Sequence, residues 1–168
     1  LNLRMALRPN PAGGSDFFRV TSGKVEEKPF ASTTLEDSLT TQPAGFTTDG
    51  KTLYWIDSRG RDTAALIAQD VASGTTKIIA QDARADIGNV MVDPKTGVVQ
   101  AYAADYLRNE WTAIDPVIGR DLAFLKSQLK GDVNVTSRTD DDRLWTVAVD
   151  PVTAPASVYL YDRVKRAV

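Results

Sequence analysis

The residues of this chain with the clearest capacity for chemistry lie in one short loop, Ser58-Arg59-Gly60-Arg61-Asp62. Two guanidinium groups in a glycine-containing loop could bind a substrate carboxylate, or contact a neighbouring domain, through paired hydrogen bonds. The structural alternative is an exposed loop with a local arginine–aspartate pair, which contributes little free energy at a surface. We take Arg59, Arg61 and Asp62 as candidate substrate- or domain-contact residues.

Two further motifs have residue types that suit a site but lack the required spacing. The consecutive acids Asp140, Asp141 and Asp142 lack the alternate spacing and central glycine of a calcium loop, so we interpret them as a hairpin turn. The sequence GGSDF at residues 13–17 is the nearest approach to a nucleophile elbow. It lacks the final glycine and precedes a predicted strand instead of joining a strand to a helix, so we assign it no catalytic role.

The composition excludes several classes of function. The chain has no His and no Cys, so a Ser-His-Asp triad, a histidine zinc site or a cysteine nucleophile cannot be complete within it. No phosphate-binding glycine motif is present, and we predict no catalytic residue, no metal ligand and no cofactor. The net charge is −2 with scattered basic residues, which argues against nucleic acid and anionic membranes as partners.

Residues 44–82 are the stretch around which the rest of the chain is organised, because they read as four short strands separated by turn signals. Asp49-Gly50 and Ser73-Gly74 are tight-turn sequences, and the loop described above separates the two middle strands. The predicted strands cover residues 45–47, 52–57, 64–70 and 76–80. We interpret this stretch as one complete blade of a β-propeller.

The strand–turn–strand pattern returns at a nearly constant interval. Asp93 opens a turn 44 residues after Asp49, and Asp141 lies 48 residues further on, close to the ~40–50 residues of a propeller blade. The first hairpin is predicted at residues 17–21 and 25–30, after a short strand at 3–7, and residues 31–43 are predicted to link blades. The predicted division is an incomplete blade at 1–36, the complete blade at 44–82, a blade with a helical insertion at 88–130 and an incomplete blade at 132–168.

One helix interrupts this all-β pattern. Asp115 can cap it, Pro116 suits its first turn, and apolar residues from Ile118 onwards recur at helical spacing, which predicts a helix over residues 116–130. We expect it to replace or decorate the outer strand of its blade. Trp55 and Trp145 are predicted to pack between blades, since large aromatic side chains usually dominate core packing. The fold class is therefore all-β, a partial propeller of three to four blades.

Three stretches of the sequence, together with EDSLTT at residues 36–41, resemble a known family. They are GFTTDGKTLYWIDSRGRDTAALIAQDVASG, ADIGNVMVDPKTGVVQAYA and TSRTDDDRLWTVAVDPVTAPASVYLYDR. Together they resemble the N-terminal β-propeller of bacterial serine peptidases of the prolyl oligopeptidase family, which includes dipeptidyl aminopeptidases and acylaminoacyl peptidases. The resemblance implies a parent enzyme with an α/β-hydrolase domain that carries the catalytic Ser, Asp and His. No family catalytic residue can be placed on this chain, and we do not recognise in it the paired-glutamate substrate motif of the dipeptidyl peptidases.

In that family the propeller covers the active site, restricts access to short peptides and, in some members, binds the substrate amino terminus. The resemblance therefore implies gating and substrate selection, with short peptides and the hydrolase domain of the same parent chain as partners. The alternative is a non-enzymatic propeller-like module that binds a protein on its rim. Both ends look like cut ends, so we expect the isolated piece to be inactive and to self-associate through its open blade faces. The sequence leaves the compartment, bacterial cytoplasm or periplasm, open.

Overall fold

Four small antiparallel sheets follow one another along the chain in the computed structural model, which describes residues 3–168. Residues 1 and 2 of the predicted first blade lie outside the described residues. The first sheet contains β1 (Met5–Pro9), β2 (Ser15–Thr21), β3 (Lys24–Val25) and β4 (Ala31–Ser32). The second contains β5 (Gln42–Phe46), β6 (Thr52–Asp57), β7 (Ala65–Asp70) and β8 (Thr76–Ala80).

The third and fourth sheets have three strands each. The third contains β9 (Ile87–Val92), β10 (Val99–Tyr106) and β11 (Arg108–Ala113), and the single helix α1 (Pro116–Gln128) follows it. The fourth contains β12 (Asp132–Arg138), β13 (Leu144–Asp150) and β14 (Ser157–Asp162). The predicted all-β partial propeller with one inserted helix is confirmed. Within residues 3–168 no helix is both long and apolar enough to cross a membrane.

The sheets stack face to face because their middle strands are apolar on both faces. In β6, Leu53 and Trp55 face the first sheet while Tyr54 faces the third, so one strand contributes to two cores. Alternate side chains of a strand point to opposite faces, and only neighbours on both sides can bury such a strand completely. Phe17 of the first sheet meets Trp55 edge to face, with ring centroids 5.0 Å apart. The predicted packing of Trp55 between blades is confirmed.

A third core joins the third sheet, the helix and the fourth sheet around Trp145, which is completely buried. Helix α1 begins as the sequence predicts, because the Asp115 side chain accepts a hydrogen bond from the Val117 N–H at 2.7 Å and Pro116 opens the first turn. Ile118 and Leu125 are its buried apolar residues. The helix is therefore positioned by packing between two sheets, which agrees with the prediction that its apolar face packs on a sheet.

A buried network of alternating acidic and basic side chains connects this helix to the fourth sheet. Asp121 of α1 accepts hydrogen bonds from the Tyr161 hydroxyl at 2.8 Å and from the Arg163 Nε and Nη2 atoms at 2.9 and 2.7 Å. Arg163 also binds Asp142, which Arg138 binds from the other side. Charges taken out of water must be paired and hydrogen-bonded to be tolerated. The helix and the fourth sheet are therefore joined by directed polar contacts as well as by apolar packing.

Some predicted strand boundaries are wrong, and proline explains most of the differences. Of the strand predicted at residues 25–30 only Val25 is in a strand, because β3 ends there and β4 begins after the predicted range, and Pro29 has no N–H to contribute to a ladder. The strand predicted at 3–7 instead ends at Pro9, which an edge strand tolerates. The predicted linking segment 31–43 contains β4 and the start of β5, where a bulge at Ala44 accommodates Pro43.

Strand β11 was not predicted, and the helix prediction ran two residues too far. The sequence of β11, RNEWTA, is mostly polar, and the side chains of this strand are alternately exposed and half-buried. The turn before it is centred on Leu107, a non-glycine residue with φ of 59° that carries none of the usual turn signals. The outer position of this blade is thus taken by a polar strand followed by the helix.

The arc has two distinct ends. At the hairpin end lie the β5–β6, β9–β10 and β12–β13 turns, of which the first two contact each other through the Thr48 N–H and the Thr96 carbonyl at 2.8 Å. At the opposite, crossover end lie the β6–β7 and β13–β14 loops and the segments that pass from sheet to sheet. Contacts there include the Ala64 N–H with Asp86 Oδ1 at 2.6 Å. The predicted functional loop, residues 58–62, is at the crossover end.

Candidate functional site

The loop 58–62 forms one wall of a cavity of about 480 Å³ at the crossover end. The opposite wall comes from the segment between β4 and β5, and Asp86 comes from the segment between β8 and β9. Three stretches that are distant in sequence therefore meet because successive sheets place their crossovers side by side. The cavity is lined by Glu36, Asp37, Thr40, Ser58, Gly60, Arg61, Asp62 and Asp86.

A cluster of hydroxyl groups fixes the two main walls to each other. The Ser58 hydroxyl donates to Asp37 Oδ1 at 2.7 Å and lies 2.7 Å from the Thr40 hydroxyl. Thr41 Oγ1 accepts from the Ser58 N–H at 3.0 Å, and both residues are buried. Because buried polar groups are costly unless hydrogen-bonded, this cluster holds the EDSLTT segment against the loop in one arrangement. The residues on either wall consequently keep fixed relative positions.

Arg59 is held by a carboxylate at the end of β6. Its Nε and Nη2 atoms donate to the two Asp57 oxygens at 2.9 and 3.0 Å, and its guanidinium lies 5.5 Å from the Trp55 ring. Burial raises the pKa of the Asp57 carboxyl, but hydrogen bonds from the Arg59 side chain and backbone outweigh that effect, and the pKa lies below its usual range. Arg59 therefore supports the loop through the kind of local arginine–aspartate pair that the sequence left as an alternative.

Arg61 and Asp62 differ from Arg59 in that both line the cavity. The Arg61 N–H donates to the Ser58 carbonyl at 2.9 Å, which closes a tight turn, and Gly60 adopts a positive φ of 68° within this turn. The Arg61 Nε atom is buried and has no hydrogen-bond partner among residues 3–168. Asp62 is exposed at the mouth of the cavity. The structure thus brings together Arg61 and Asp62 and turns Arg59 towards the sheet.

The chemistry available in this cavity is binding chemistry. Four carboxylates and one guanidinium line it, so its walls carry an excess of negative charge that attracts a cationic group. Ser58 and Thr40 carry the hydroxyl groups among the lining residues, but these hydroxyls contact each other, and Ser58 also contacts a carboxylate, which does not form a triad. Glu36, Asp37 and Asp86 were not predicted as site residues. No sequence pattern connects these three residues with the loop 58–62, because they are distant from it in the chain and only the stacking of the sheets brings them next to it.

The two other sequence motifs have structural roles. Asp142 of the predicted hairpin turn binds both Arg138 and Arg163 and accepts from Trp145 Nε1 at 2.7 Å. Ser15 of the GGSDF sequence is the first residue of β2, and its N–H donates to the Thr33 hydroxyl at 3.0 Å. Among residues 3–168 no three His, Cys, Asp or Glu side chains are grouped so as to hold a metal ion.

Comparison with known proteins places these features in context. No family model matches the chain. The chain is 51% identical over 161 residues to dipeptidyl aminopeptidase BIII of Pseudoxanthomonas mexicana, a match that covers 96% of this chain and 23% of that protein. It is 27% identical over 172 residues to dipeptidyl peptidase family member 6 of Caenorhabditis elegans, with 97% of this chain and 23% of that protein covered.

The fold is similar to that of a solved prolyl endopeptidase structure. The TM-score is 0.50 at 15% sequence identity, and the match covers 97% of this chain and 24% of that chain. The chain thus spans about a quarter of the length of the proteins that it matches.

Proposed function

Since the chain belongs to the prolyl oligopeptidase family of peptidases, we propose that it gates access and selects short peptides for the α/β-hydrolase domain of a serine peptidase. The observation that carries this proposal is the 51% identity to a dipeptidyl aminopeptidase over 96% of the chain. A propeller arc suits such a role because it is a rigid stack whose loops gather at two ends. Rigid scaffolds with functional loops are a common arrangement for binding sites.

The crossover-end cavity is the part of the arc that we assign to substrate selection. Its excess of carboxylates favours the α-ammonium group at the amino end of a short peptide, while Arg61 can donate to a peptide carbonyl or carboxylate. The unpaired, buried Nε atom of Arg61 supports this assignment, because a buried donor without a partner costs free energy that a ligand could recover. Arg61 and Asp62 are the proposed contact residues, and Arg59 would hold the loop that presents them.

The test compares substrates on the full-length protein that carries this segment. We expect Arg61→Gln and Asp62→Asn to lower kcat/KM for a dipeptidyl nitroanilide with a free amino group by about tenfold each, the loss of one charge-assisted contact. Hydrolysis of p-nitrophenyl acetate, which is too small to reach the cavity, should be unchanged. Lys77→Gln, a charge change on the exposed strand β8, is the matched control.

Two outcomes would overturn the proposal in different ways. Equal losses on the dipeptidyl substrate and on the small ester would show that the loop contacts the hydrolase domain and not the substrate. A full-length protein that does not react with a fluorophosphonate serine probe would exclude the peptidase, and the alternative role of a protein-binding module would remain.

A further inference from the structure

A groove of about 960 Å³ runs along the outer edge of β11. All six residues of this strand line it, and the other walls come from α1, the start of β12 with the two residues before it, and the β13–β14 loop at Pro151 and Thr153. It shares no lining residue with the crossover-end cavity. Its volume lies at the upper end of the ~300–1,000 Å³ typical of ligand clefts. The groove exists because a helix, and not a fourth strand, follows β11.

The backbone of β11 presents unpaired groups to this groove. The Ile114 N–H donates to the Gln100 carbonyl of β10 at 2.8 Å, and hydrogen-bonding residues alternate along an antiparallel strand. Asn109, Trp111 and Ala113 therefore point their N–H and C=O groups away from β10, and of their three N–H groups that of Asn109 donates to Asp132 Oδ2 at 3.5 Å. Among residues 3–168, Trp111 and Ala113 make no backbone hydrogen bond outside the sheet ladder. Such an edge is a template for another strand.

The groove narrows at one end and has an unsatisfied acceptor in its wall. Gly119 of α1 approaches Ala113 so closely that an added Cβ would lie 3.3 Å from the alanine Cβ, which closes that end. Trp111 contributes an apolar surface, and its Nε1 atom donates to the Val133 carbonyl at 3.0 Å. Asn109 Oδ1 is buried and has no hydrogen-bond partner in the described part of the chain. A donor that enters the groove would satisfy it.

The charges of the groove favour an acidic ligand. Its two acids, Glu110 and Asp132, are paired with arginines at 2.9 and 3.1 Å. Lys126 and Lys130 also line it, are exposed, and form no salt bridge with any residue in the range 3–168. Two ammonium groups without partners beside a neutralised pair of acids give the groove a surplus of positive charge.

We propose that an extended peptide segment with acidic side chains binds in this groove as a fourth strand on β11. Main-chain hydrogen bonds to Trp111 and Ala113 would give the binding energy common to strand addition, and Lys126 and Lys130 would select carboxylates on alternate residues of the peptide. The site takes a protein or peptide partner through its backbone and charge, which distinguishes it from the substrate cavity at the crossover end.

The experiment measures fluorescence anisotropy of labelled peptides with the full-length protein that carries this segment. The probe is a seven-residue peptide that alternates valine with glutamate, and the controls replace glutamate with lysine or methylate alternate backbone nitrogens. We expect the glutamate peptide to bind, and both controls to bind at least about tenfold more weakly, because one reverses the charge and the other blocks the strand ladder.

Variants locate the site. The double variant Lys126→Glu/Lys130→Glu should weaken the glutamate peptide by about tenfold or more, since exposed ion pairs become repulsive. Lys77→Glu/Lys95→Glu makes the same charge change on the second sheet and at the β9–β10 turn, and should leave the affinity unchanged. The proposal is overturned if the glutamate peptide does not bind, which is the result expected when another part of the same polypeptide fills the groove. It is also overturned if the methylated peptide binds as tightly as the glutamate peptide, or if the two double variants have the same affinity for the glutamate peptide.

Discussion

Replacing Asp121 by asparagine tests the buried charge network that joins α1 to the fourth sheet. Asp121 is 5% exposed and accepts three hydrogen bonds, one from Tyr161 and two from Arg163. The amide keeps the shape of the carboxylate but removes its charge and one of its two acceptor oxygens. At least one donor is then left without a partner in a buried place.

The expected loss in the free energy of unfolding is about 2–4 kcal/mol. One charge-assisted hydrogen bond contributes roughly 1.5–3 kcal/mol, which sets the lower part of the range. Breaking a buried ion pair completely costs roughly 3–5 kcal/mol, but Arg163 keeps its second partner, Asp142, so the loss stays below that ceiling. With a urea slope of about 2 kcal/mol/M, the unfolding midpoint should fall by about 1–2 M.

The assay is urea unfolding of the 168-residue chain followed by tryptophan fluorescence, since the guanidinium groups of Arg138 and Arg163 lie 4.9 and 4.6 Å from the centroid of the Trp145 ring. Glu110→Gln is the matched control, because its carboxylate pairs with Arg84 at the surface. Exposed pairs contribute ~0–1 kcal/mol, so this variant should hardly shift the midpoint. If Asp121→Asn shifts the midpoint no further than Glu110→Gln does, the network does not fasten the helix.

Three further predictions concern packing, ionisation and activity. Gly97→Ala should destabilise the chain by about 1–3 kcal/mol more than Gly74→Ala, because both have positive φ but only an added Cβ at Gly97 would meet the Phe46 carbonyl, at 2.6 Å. Equal urea midpoints for the two variants would contradict this reading of the hairpin end. Burial, the hydrogen bond to a carboxylate and the charge of that carboxylate raise the pKa of Tyr161 to about 12. The unfolded chain then loses the tyrosine proton first, near pH ~10, so the free energy of unfolding should fall by about 2–3 kcal/mol between pH ~10 and ~12. A Tyr161→Phe variant with the same fall over this window would refute the assignment. The purified 168-residue chain, which has no His, should not hydrolyse a dipeptidyl nitroanilide, and release of nitroaniline above the blank would disprove that expectation.

The fold could be predicted from the sequence wherever local signals and burial agree. The complete blade is the clearest case, because β6 and β8 fall on the predicted residues and their turns carry glycine at positive φ. The strand around Trp55 is apolar on both faces, so the sequence alone also predicted that a sheet would pack on each side of it. Strand β11 could not be predicted, since a polar edge strand after a leucine turn has neither periodicity nor a turn signal.

The candidate site, too, could be predicted from the sequence only in part. The sequence by itself determined that the loop 58–62 was the place to look for binding chemistry, and that no complete triad could form in a chain without His. Only the tertiary structure decided that Arg59 turns to Asp57 while Arg61 faces a cavity, and that Asp37 and Asp86 stand around it. The physical reason is that turn chemistry and hydrophobic periodicity act between neighbours in sequence, whereas the walls of a cavity are set by how separate sheets stack.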